Sequence, residues 1–458
     1  MNNPDAGAQQ LAAANSIPGN LVSAQGLDLE QFESLQTPVH AWTTEGGAGV
    51  KFVEARGLPI VDIILRFKAG TAQDTVQPGL AALTLYMLDE GSQHFTATEQ
   101  ADQLERLGAI VDKQVRLEHA TLSLRSLSAS ALLEPALELL IDLVACPTFP
   151  PSALENMKQQ LILNNATRER QPSFRMISEA YRHLFHSHPY GNPLGSTREG
   201  IEGIAPADLK RFHQRGYCAS NLEMVVVGDL SLAHAQAISQ RISQALPQGW
   251  SATELPIVPP ATRATINVEQ SGTSSAVLLA LPMNVPANDP EYPALVLASE
   301  VLGAGIESRL MRELRQRRGL TYGIATDVKP MSAGGLFTIT WEIAPMYVES
   351  SARLVEAVLS DFIEQGPTQA ELQLARIKLA GQLLRAVAQN ESMAALLTVI
   401  TDQRQPADHL DTYVERLRAQ TPADVCAVMR RRLHLAEEKV LVSVGPSADQ
   451  QPLPDLDQ

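Results

Sequence analysis

Three histidines close together come nearest, by residue type and spacing, to a metal site. His183, His186 and His188 lie within RHLFHSHPYG, and two imidazoles at such spacings could reach one metal ion. No Asp, Glu or Cys follows at ligand spacing, however, and Pro189 ends the helix at once. The pattern therefore favours a capping or packing role, with a stand-alone hydrolase that uses this cluster as the alternative.

The other reactive residue types occur without the neighbours that would activate them. Cys146, Cys218 and Cys426 lie far apart and form no CxxC pair, which predicts buried thiols and not a disulfide framework or thiolate zinc site. Gly303-Ala304-Gly305 follows a predicted helix instead of a strand, which argues against a dinucleotide loop. The sequence contains no GxSxG, P-loop, HExxH or HxxEH motif.

Composition limits the class of protein. A chain of 458 residues with 45% hydrophobic residues is expected to form a soluble protein with two or more domains. Its net charge of −15 argues against nucleic acid or an anionic membrane as the main partner. No apolar run is long enough to span a bilayer. The first twenty residues predict no signal peptide, and both the periplasm, after signal removal, and the cytoplasm remain open.

A predicted helix over residues 77–91 (QPGLAALTLYMLDEG) organises the N-terminal part of the chain. Pro78 suits a first helical turn and Gly91 suits a helix end. Leu80, Leu83 and Met87 recur on one face, and the other face is also apolar, so we expect burial on both sides. Strands are predicted nearby at residues 39–55, 60–68, 109–115 and 119–126, and a TATE capping box precedes the next helix.

The second half of the chain repeats the element order of the first. The tripeptide PAD occurs at residues 206–208 and 422–424, and VVVG ending at Gly228 is matched by VSVG ending at Gly445. Because the two pairs have nearly the same offset, we predict an internal duplication into two α/β halves, at residues 38–245 and 266–450. A Pro-rich linker (246–265) would join them, with a loosely ordered extension (1–37) and a short tail (451–458) at the ends.

Several segments carry a resemblance to a known family. They are FKAG (67–70), MLDEG (87–91), LERLGA (104–109), HPYGNPLGSTREGI (188–201), NLEMVVVGD (221–229) and SRLMRELRQRRGLTYG (308–323). Over residues 38–447 the chain resembles the pitrilysin/insulinase-type metallopeptidases, or inverzincins. It is most similar to short bacterial members that resemble mitochondrial processing peptidase subunits. The resemblance implies an α/β (α+β) fold with two homologous domains, each a mostly antiparallel sheet packed with helices, in a clam-like arrangement.

Active members of this family carry His-x-x-Glu-His on the helix that corresponds to residues 77–91. The two histidines bind zinc and the glutamate serves as general base. At these positions the present chain has Ala82, Leu85 and Tyr86, and the downstream ligand position falls within residues 162–164, which contain no Glu. The resemblance therefore implies that this chain has no cofactor of its own and that the zinc is on a partner subunit.

The resemblance also assigns an Arg–Tyr pair to the C-terminal half, where family members place it opposite the zinc. Arg315 and Tyr322 match this pair within LRQRRGLTY. A guanidinium and a phenol are both donors that can bind peptide carbonyls or charge developing at the scissile carbonyl. We expect a helix over residues 309–318, a break at Gly319 and a strand entering at Tyr322. The alternative is that Arg315 is one of several arginines on a solvated helix, with Arg309, Arg312, Arg317 and Arg318.

Two functions remain from these considerations. In the first, the chain is the substrate-binding, non-zinc subunit of a heteromeric zinc metallopeptidase that degrades or processes peptides. It would pair with a homologous HxxEH subunit, as a heterodimer or higher assembly, bind unfolded peptide, and be inactive alone. In the second, the chain is a catalytically inactive scaffold subunit of a larger assembly.

Overall fold

The structure is a computed structural model that describes residues 37–454. Of the predicted N-terminal extension, all but Thr37 lies outside the described residues, as do the last four residues of the predicted tail. The described chain forms two mixed sheets, each packed with helices.

Six strands form the N-terminal sheet. They are β1 (His40–Thr43), β2 (Gly49–Glu54), β3 (Ile60–Phe67), β4 (Ile110–Val115), β5 (Ala120–Leu127) and β6 (Leu222–Gly228). Their order across the sheet is β1-β2-β6-β3-β5-β4, and only β2 and β6 pair in parallel. The last strand in sequence therefore lies in the middle of the sheet.

Five strands form the C-terminal sheet. They are β7 (Ala264–Glu269), β8 (Ser275–Pro282), β9 (Ile324–Met331), β10 (Gly334–Ile343) and β11 (Val440–Gly445). Their order is β7-β11-β8-β10-β9, again with a single parallel pair, between β7 and β11. In both sheets the closing strand of the sequence pairs in parallel with the first or second strand and antiparallel with the next, as an internal duplication predicts.

Helices cover both sheets. Those of the N-terminal part are α1 (Leu80–Tyr86), α2 (Ala97–Leu107), α3 (Ser130–Ala145), α4 (Pro151–Glu169), α5 (Pro172–Phe185), α6 (Arg198–Gly203), α7 (Pro206–Gly216) and α8 (Leu232–Ala245). Those of the C-terminal part are α9 (Tyr292–Gly303), α10 (Arg309–Met311), α11 (Val348–Gln365), α12 (Gln369–Val387), α13 (Asn390–Asp402), α14 (His409–Ala419), α15 (Pro422–Arg432) and α16 (Leu435–Glu438).

Each part of the chain contributes one helix that packs against the sheet of the other part. Because strand residues alternate between faces, Leu65 and Phe67 of β3 enter the main apolar core while Arg66 projects from the opposite face. On that polar face α13, from the C-terminal part, packs against β3 and β6. The C-terminal sheet is apolar on both faces, and α5 of the N-terminal part packs against its second face at β8 and β11. These reciprocal contacts hold residues from distant parts of the chain together.

Several elements differ from the sequence prediction. The helix predicted over residues 77–91 is shorter, at Leu80–Tyr86, because Gly79 adopts φ +114° before it and the chain turns after it. Its burial on both sides is as expected, since Ala81 to Leu85 are all buried. Elements that were not predicted from the sequence include β7, α8, α13 and α14. Cys218 is buried as predicted, whereas Cys146 and Cys426 are partly exposed.

The predicted fold class is confirmed: each sheet is mostly antiparallel and packed with helices. The domain boundaries proposed from the duplication, at residues 245 and 266, remain predictions. Within residues 37–454, no helix combines the length and the apolar character needed to cross a bilayer.

Candidate functional site

The short helix α1 contains Ala82 and Leu85 and ends at Tyr86, the three residues at which the zinc motif was expected from the family resemblance. Asp74 Oδ2 accepts hydrogen bonds from the backbone N–H groups of Gly79 (3.2 Å) and Ala81 (2.8 Å), which satisfies donors at the helix start. Ala82 is 4% exposed and Leu85 is fully buried, both within the main apolar core. A methyl and an isobutyl group offer no ligand atom, so these positions pack the core and do not bind metal.

A lysine lies against the C-terminal end of the same helix. Lys113 Nζ of β4 donates to the backbone carbonyl of Tyr86 (3.0 Å) and forms an ion pair with Asp89. A cation is favourable there because the last carbonyls of a helix carry partial negative charge. Burial raises the pKa of the Tyr86 phenol, which therefore stays protonated and is a poor zinc ligand at neutral pH.

The downstream ligand position also lacks a suitable group. On α4, Ile162 is buried and Leu163 projects outward, 67% exposed, followed by exposed Asn164. None of the three provides a carboxylate. The residues at all the corresponding positions therefore do not fit a catalytic zinc ion.

The segment that carries Arg315 and Tyr322 has an unusual helix end. After α10 the chain forms a π-helical turn at Arg312–Gln316, where a regular helix was expected over residues 309–318. Gly319 ends it at φ +61°, and the Leu320 N–H reaches back to the Leu314 carbonyl at 2.9 Å. π-helical turns are rare in proteins overall, and those that occur are often found at functional sites. The strand β9 begins at Ile324, two residues later than predicted.

Arg315 and Tyr322 are brought together in this segment. Arg315 Nη1 donates to the backbone carbonyl of Tyr322 at 2.9 Å, while the Tyr322 side chain is 95% exposed. Buried Thr321 and Ile324 flank the tyrosine and fix the backbone on both sides. The arrangement presents a phenol and a guanidinium to solvent from the same loop.

Three neighbouring arginines differ from Arg315 in their partners, whereas Arg312 resembles it and donates to a backbone carbonyl, that of Glu307. Arg309 forms a two-pronged ion pair with Glu371, with both N–O distances at 2.8 Å, and lies over the Phe362 ring. Arg317 and Arg318 both bind Glu313. No carboxylate in the described part of the chain lies within ion-pair distance of Arg315, so its charge remains available for a ligand.

A group of side chains of the types that bind metal ions lies between β3 and α13. Its members are Glu118, His119 and Asp402, and each has one potential ligand atom close to those of the other two. The guanidinium of Arg66 already occupies the cation position: its Nη2 lies 2.7 Å from His119 Nδ1 and 2.6 Å from Asp402 Oδ1. Burial, and then the charge of Arg66, hold the pKa of His119 well below its usual range, so Nδ1 accepts a hydrogen bond. The cluster joins β3 to α13 and was not predicted, because Asp402 is far away in sequence.

Two of the three clustered histidines, His183 and His188, form hydrogen bonds with the backbone, in keeping with the expected capping or packing role, and His186 is exposed. His188 Nδ1 accepts from the backbone N–H of Tyr190 and caps a short 3₁₀ turn, so its Nε2 donates to the Pro256 carbonyl at 2.9 Å. His183 Nε2 lies 3.1 Å from the Thr262 carbonyl. Both histidines thus attach the interdomain linker to the end of α5.

Comparison with known proteins fixes the family. A profile described as insulinase (peptidase family M16) matches residues 53–198, and a second, described as peptidase M16 inactive domain, matches residues 203–379. The chain belongs to peptidase family M16. This confirms the resemblance to insulinase-type peptidases.

Solved structures of M16 proteins share the fold. A crystal structure of a peptidase M16 inactive domain from Pseudomonas fluorescens is 34% identical, covers 91% of this chain and all of that one, and superposes with a TM-score of 0.87. A protease from Helicobacter pylori gives a TM-score of 0.81 at 17% identity, over 90% of this chain and all of that one. The second likeness shows the fold alone.

Curated M16 relatives carry two kinds of description. The non-peptidase homolog YmxG of Helicobacter pylori is 26% identical over 351 residues, which is 75% of this chain and 79% of that protein. An uncharacterized zinc protease of Mycobacterium leprae is 23% identical over 328 residues, or 70% of this chain and 72% of that protein. The family therefore includes relatives described as peptidases and a relative described as a non-peptidase.

Proposed function

We propose that this M16 protein is the substrate-binding, non-zinc subunit of a heteromeric zinc metallopeptidase that degrades or processes peptides. The observation that carries the proposal is the hydrogen bond from Arg315 to the Tyr322 carbonyl, which holds an unpaired guanidinium beside an exposed phenol. Because α1 has no zinc ligands, Arg315 and Tyr322 could assist peptide cleavage only if another polypeptide supplied the metal.

The chemistry of the pair suits peptide binding. An arginine side chain keeps its charge at neutral pH and has five N–H donors, of which the Tyr322 carbonyl uses one. The Tyr322 phenol adds an O–H donor. Both can bind peptide carbonyl oxygens, and both would bind a scissile carbonyl oxygen more strongly as negative charge develops on it. The zinc and the general base would belong to the partner.

We infer that the partner is a homologous M16 chain that carries His-x-x-Glu-His, in a heterodimer or a larger assembly. The descriptions of relatives support this inference, since they include zinc proteases, an inactive domain and a non-peptidase homolog. The buried α1 supports it as well, because the core there is packed with apolar side chains and leaves no place for a metal ligand.

A scaffold subunit is the second candidate, and the description of one relative as a non-peptidase homolog favours it. A scaffold has no chemical reason to keep an exposed phenol beside an unpaired guanidinium. The two functions therefore differ in whether Arg315 and Tyr322 affect catalysis by the complex.

Reconstitution tests the proposal. The chain is purified alone and assayed for cleavage of a fluorogenic unfolded peptide with added zinc, then mixed with an HxxEH-bearing M16 chain from the same genome. We expect no cleavage by the isolated chain and chelator-sensitive cleavage by the mixture above that of the partner alone. Chelator-sensitive cleavage by the isolated chain would falsify the proposal, and a complex no more active than the partner alone would favour the scaffold.

A further inference from the structure

An open pocket of about 290 Å³ lies between α9, α12, α13 and α14 and includes none of the residues assigned above to peptide binding. Its walls are mainly aliphatic. Leu379 and Leu383 come from α12, and Leu396, Val399 and Ile400 from α13. Val399 is 48% exposed, so apolar surface at this pocket is open to water. Burying that surface would be favourable for any ligand with an apolar body.

Polar groups line the same pocket. Arg416 Nη1 donates to Gln405 Oε1 (3.3 Å) and lies 3.0 Å from His409 Nδ1. Burial, and then the neighbouring Arg416 charge, lower the pKa of His409 to about 4, so the imidazole is neutral at pH 7 and its Nδ1 accepts the hydrogen bond. Burial raises the pKa of Tyr413 to about 12, so its phenol remains a donor.

Arg416 has no ion-pair partner. Within residues 37–454 no carboxylate lies within 4 Å of its guanidinium, and the two side chains to which it is hydrogen-bonded are neutral. The carboxylates of Asp408 and Glu300 act on the neighbouring His409 and Tyr413 from a greater distance. By contrast, Arg309 and Arg432, also partly buried, are both paired with glutamates. Arg376, also partly buried and without an ion-pair partner, has four hydrogen-bond acceptors, whereas Arg416 has two. Desolvation of a charge is costly unless it is paired or hydrogen-bonded, so Arg416 can still gain from an anionic ligand.

We propose that this pocket binds a small monocarboxylate with an apolar body, such as a short fatty acid. The carboxylate would accept from the guanidinium of Arg416 and the phenol of Tyr413, and the hydrocarbon would lie against the leucines of α12 and α13. A neutral ligand would leave the guanidinium unpaired, and a cationic ligand would be repelled by it. The site does not depend on the peptide-binding function proposed above.

A ligand in the pocket would also affect the contact between α13 and the N-terminal sheet. Leu396, Val399 and Ile400 of α13 line the pocket, while Thr398, Thr401 and Asp402 of the same helix contact Arg66 and Lys51 of the N-terminal sheet. A ligand that packs against α13 would therefore stabilise the contact between the two sheets. Hydrogen exchange can report this effect independently of peptide cleavage.

The test uses octanoate as the probe on the full chain, below its micelle concentration. Octanoate is titrated by calorimetry and compared with 1-octanol, octylammonium and acetate, which lack the charge, reverse it or lack the apolar body. We expect one octanoate per chain and at least about tenfold weaker binding of each of the other three. Equal affinity for octanoate and 1-octanol, or no saturable binding of octanoate, would overturn the proposal.

Variants locate the site. Arg416→Gln should weaken octanoate binding about tenfold or more and leave 1-octanol binding unchanged. Arg416→Lys keeps the charge and should lose less, which covers the case in which the first variant unfolds. Val399→Trp, at a partly exposed position, should block both ligands. Arg353→Gln, an exposed arginine of α11, is the matched control and should bind octanoate as the natural chain does.

Hydrogen exchange provides the second readout. Octanoate should slow amide exchange in α13 and α14 of the natural chain and not in Val399→Trp. Protection that is confined to other helices, or octanoate binding that survives Val399→Trp, would place the ligand elsewhere and overturn the assignment.

Discussion

The guanidinium of Arg66 lies 2.6 Å from the carboxylate of Asp402, measured from Nη2 to Oδ1, although the residues belong to opposite parts of the chain. Arg66 is almost completely buried and also faces His119 and, at 3.6 Å, Glu223. One buried cation thus balances two acidic groups across the contact between β3, β6 and α13. Burial raises the pKa of Glu223, which makes the nearby arginine more important for keeping that carboxylate ionised.

The first prediction concerns this contact. Arg66→Met should lower the free energy of unfolding by about 3 kcal/mol, because it leaves the buried Glu223 with only the distant Lys68, at 3.9 Å, and removes the arginine from Asp402. Asp402→Asn should cost only about 1 kcal/mol, since Arg66 keeps its other partners and the pair is partly exposed. Urea unfolding measures both. Arg56→Gln, which breaks an exposed pair with Glu54, is the control and should leave the urea midpoint unchanged. Equal costs for the two main variants would contradict the assignment.

The second prediction concerns catalysis by the reconstituted complex. Arg315→Ala should lower kcat/KM about 100-fold and Tyr322→Phe about tenfold or more, because both donors are expected to bind the carbonyl oxygen most tightly in the transition state. Arg317→Ala removes a neighbouring exposed arginine that binds Glu313 and should leave kcat/KM within about twofold of the natural complex. If the three variants are indistinguishable while the complex stays intact, the pair has no catalytic role.

The third prediction concerns pH. Burial raises the pKa of Asp74 to about 7, and hydrogen bonds from Ala81 and Gly79 only partly offset this effect. Since the folded pKa exceeds the unfolded one, the carboxyl stabilises the fold fully below about pH 4 and loses this contribution as the pH rises through 7. Between pH 5 and 8 the natural chain should therefore lose about 2–3 kcal/mol of stability relative to Asp74→Asn.

The control for this experiment is another acid at a helix start. The pKa of Asp208 is lowered, mainly by the backbone hydrogen bond from Ala205, so this carboxylate is ionised in both states above pH 5. Asp208→Asn should differ from the natural chain by an amount that is constant between pH 5 and 8. A constant difference for Asp74→Asn as well would show that Asp74 titrates at its ordinary value.

The fourth prediction concerns the zinc-motif positions. Leu85→Glu should cost about 3 kcal/mol or more, because it places a carboxyl in a fully buried apolar position. Leu163→Glu, on the exposed side of α4, is the matched control and should cost less than about 0.5 kcal/mol. Restoring the motif with Ala82→His, Leu85→Glu and Tyr86→His should yield no stoichiometric zinc by metal analysis. Tight zinc binding by that variant would show that the packing around α1 tolerates a metal site.

Local sequence patterns predicted many of the helices and strands of this protein. The capping box at Thr96 and Glu99 and the strand β5 both form as predicted, because capping and strand alternation depend on near neighbours in sequence. Residue types alone also determined that Ala82 and Leu85 cannot bind zinc. Arg315 and Tyr322 were selected as candidate site residues because they match a family motif.

Tertiary structure decided which groups meet across long sequence separations. The exchange of α5 and α13 between the sheets, the contact of Arg66 with Asp402 and the pocket beside Arg416 all join residues that no local pattern connects. It also decided the state of Arg315, which donates to the Tyr322 carbonyl, whereas Arg309 and Arg317 are paired with glutamates. Composition and spacing determine which elements form, whereas burial and the choice of partner, which fix charge and reactivity, depend on packing of the whole chain.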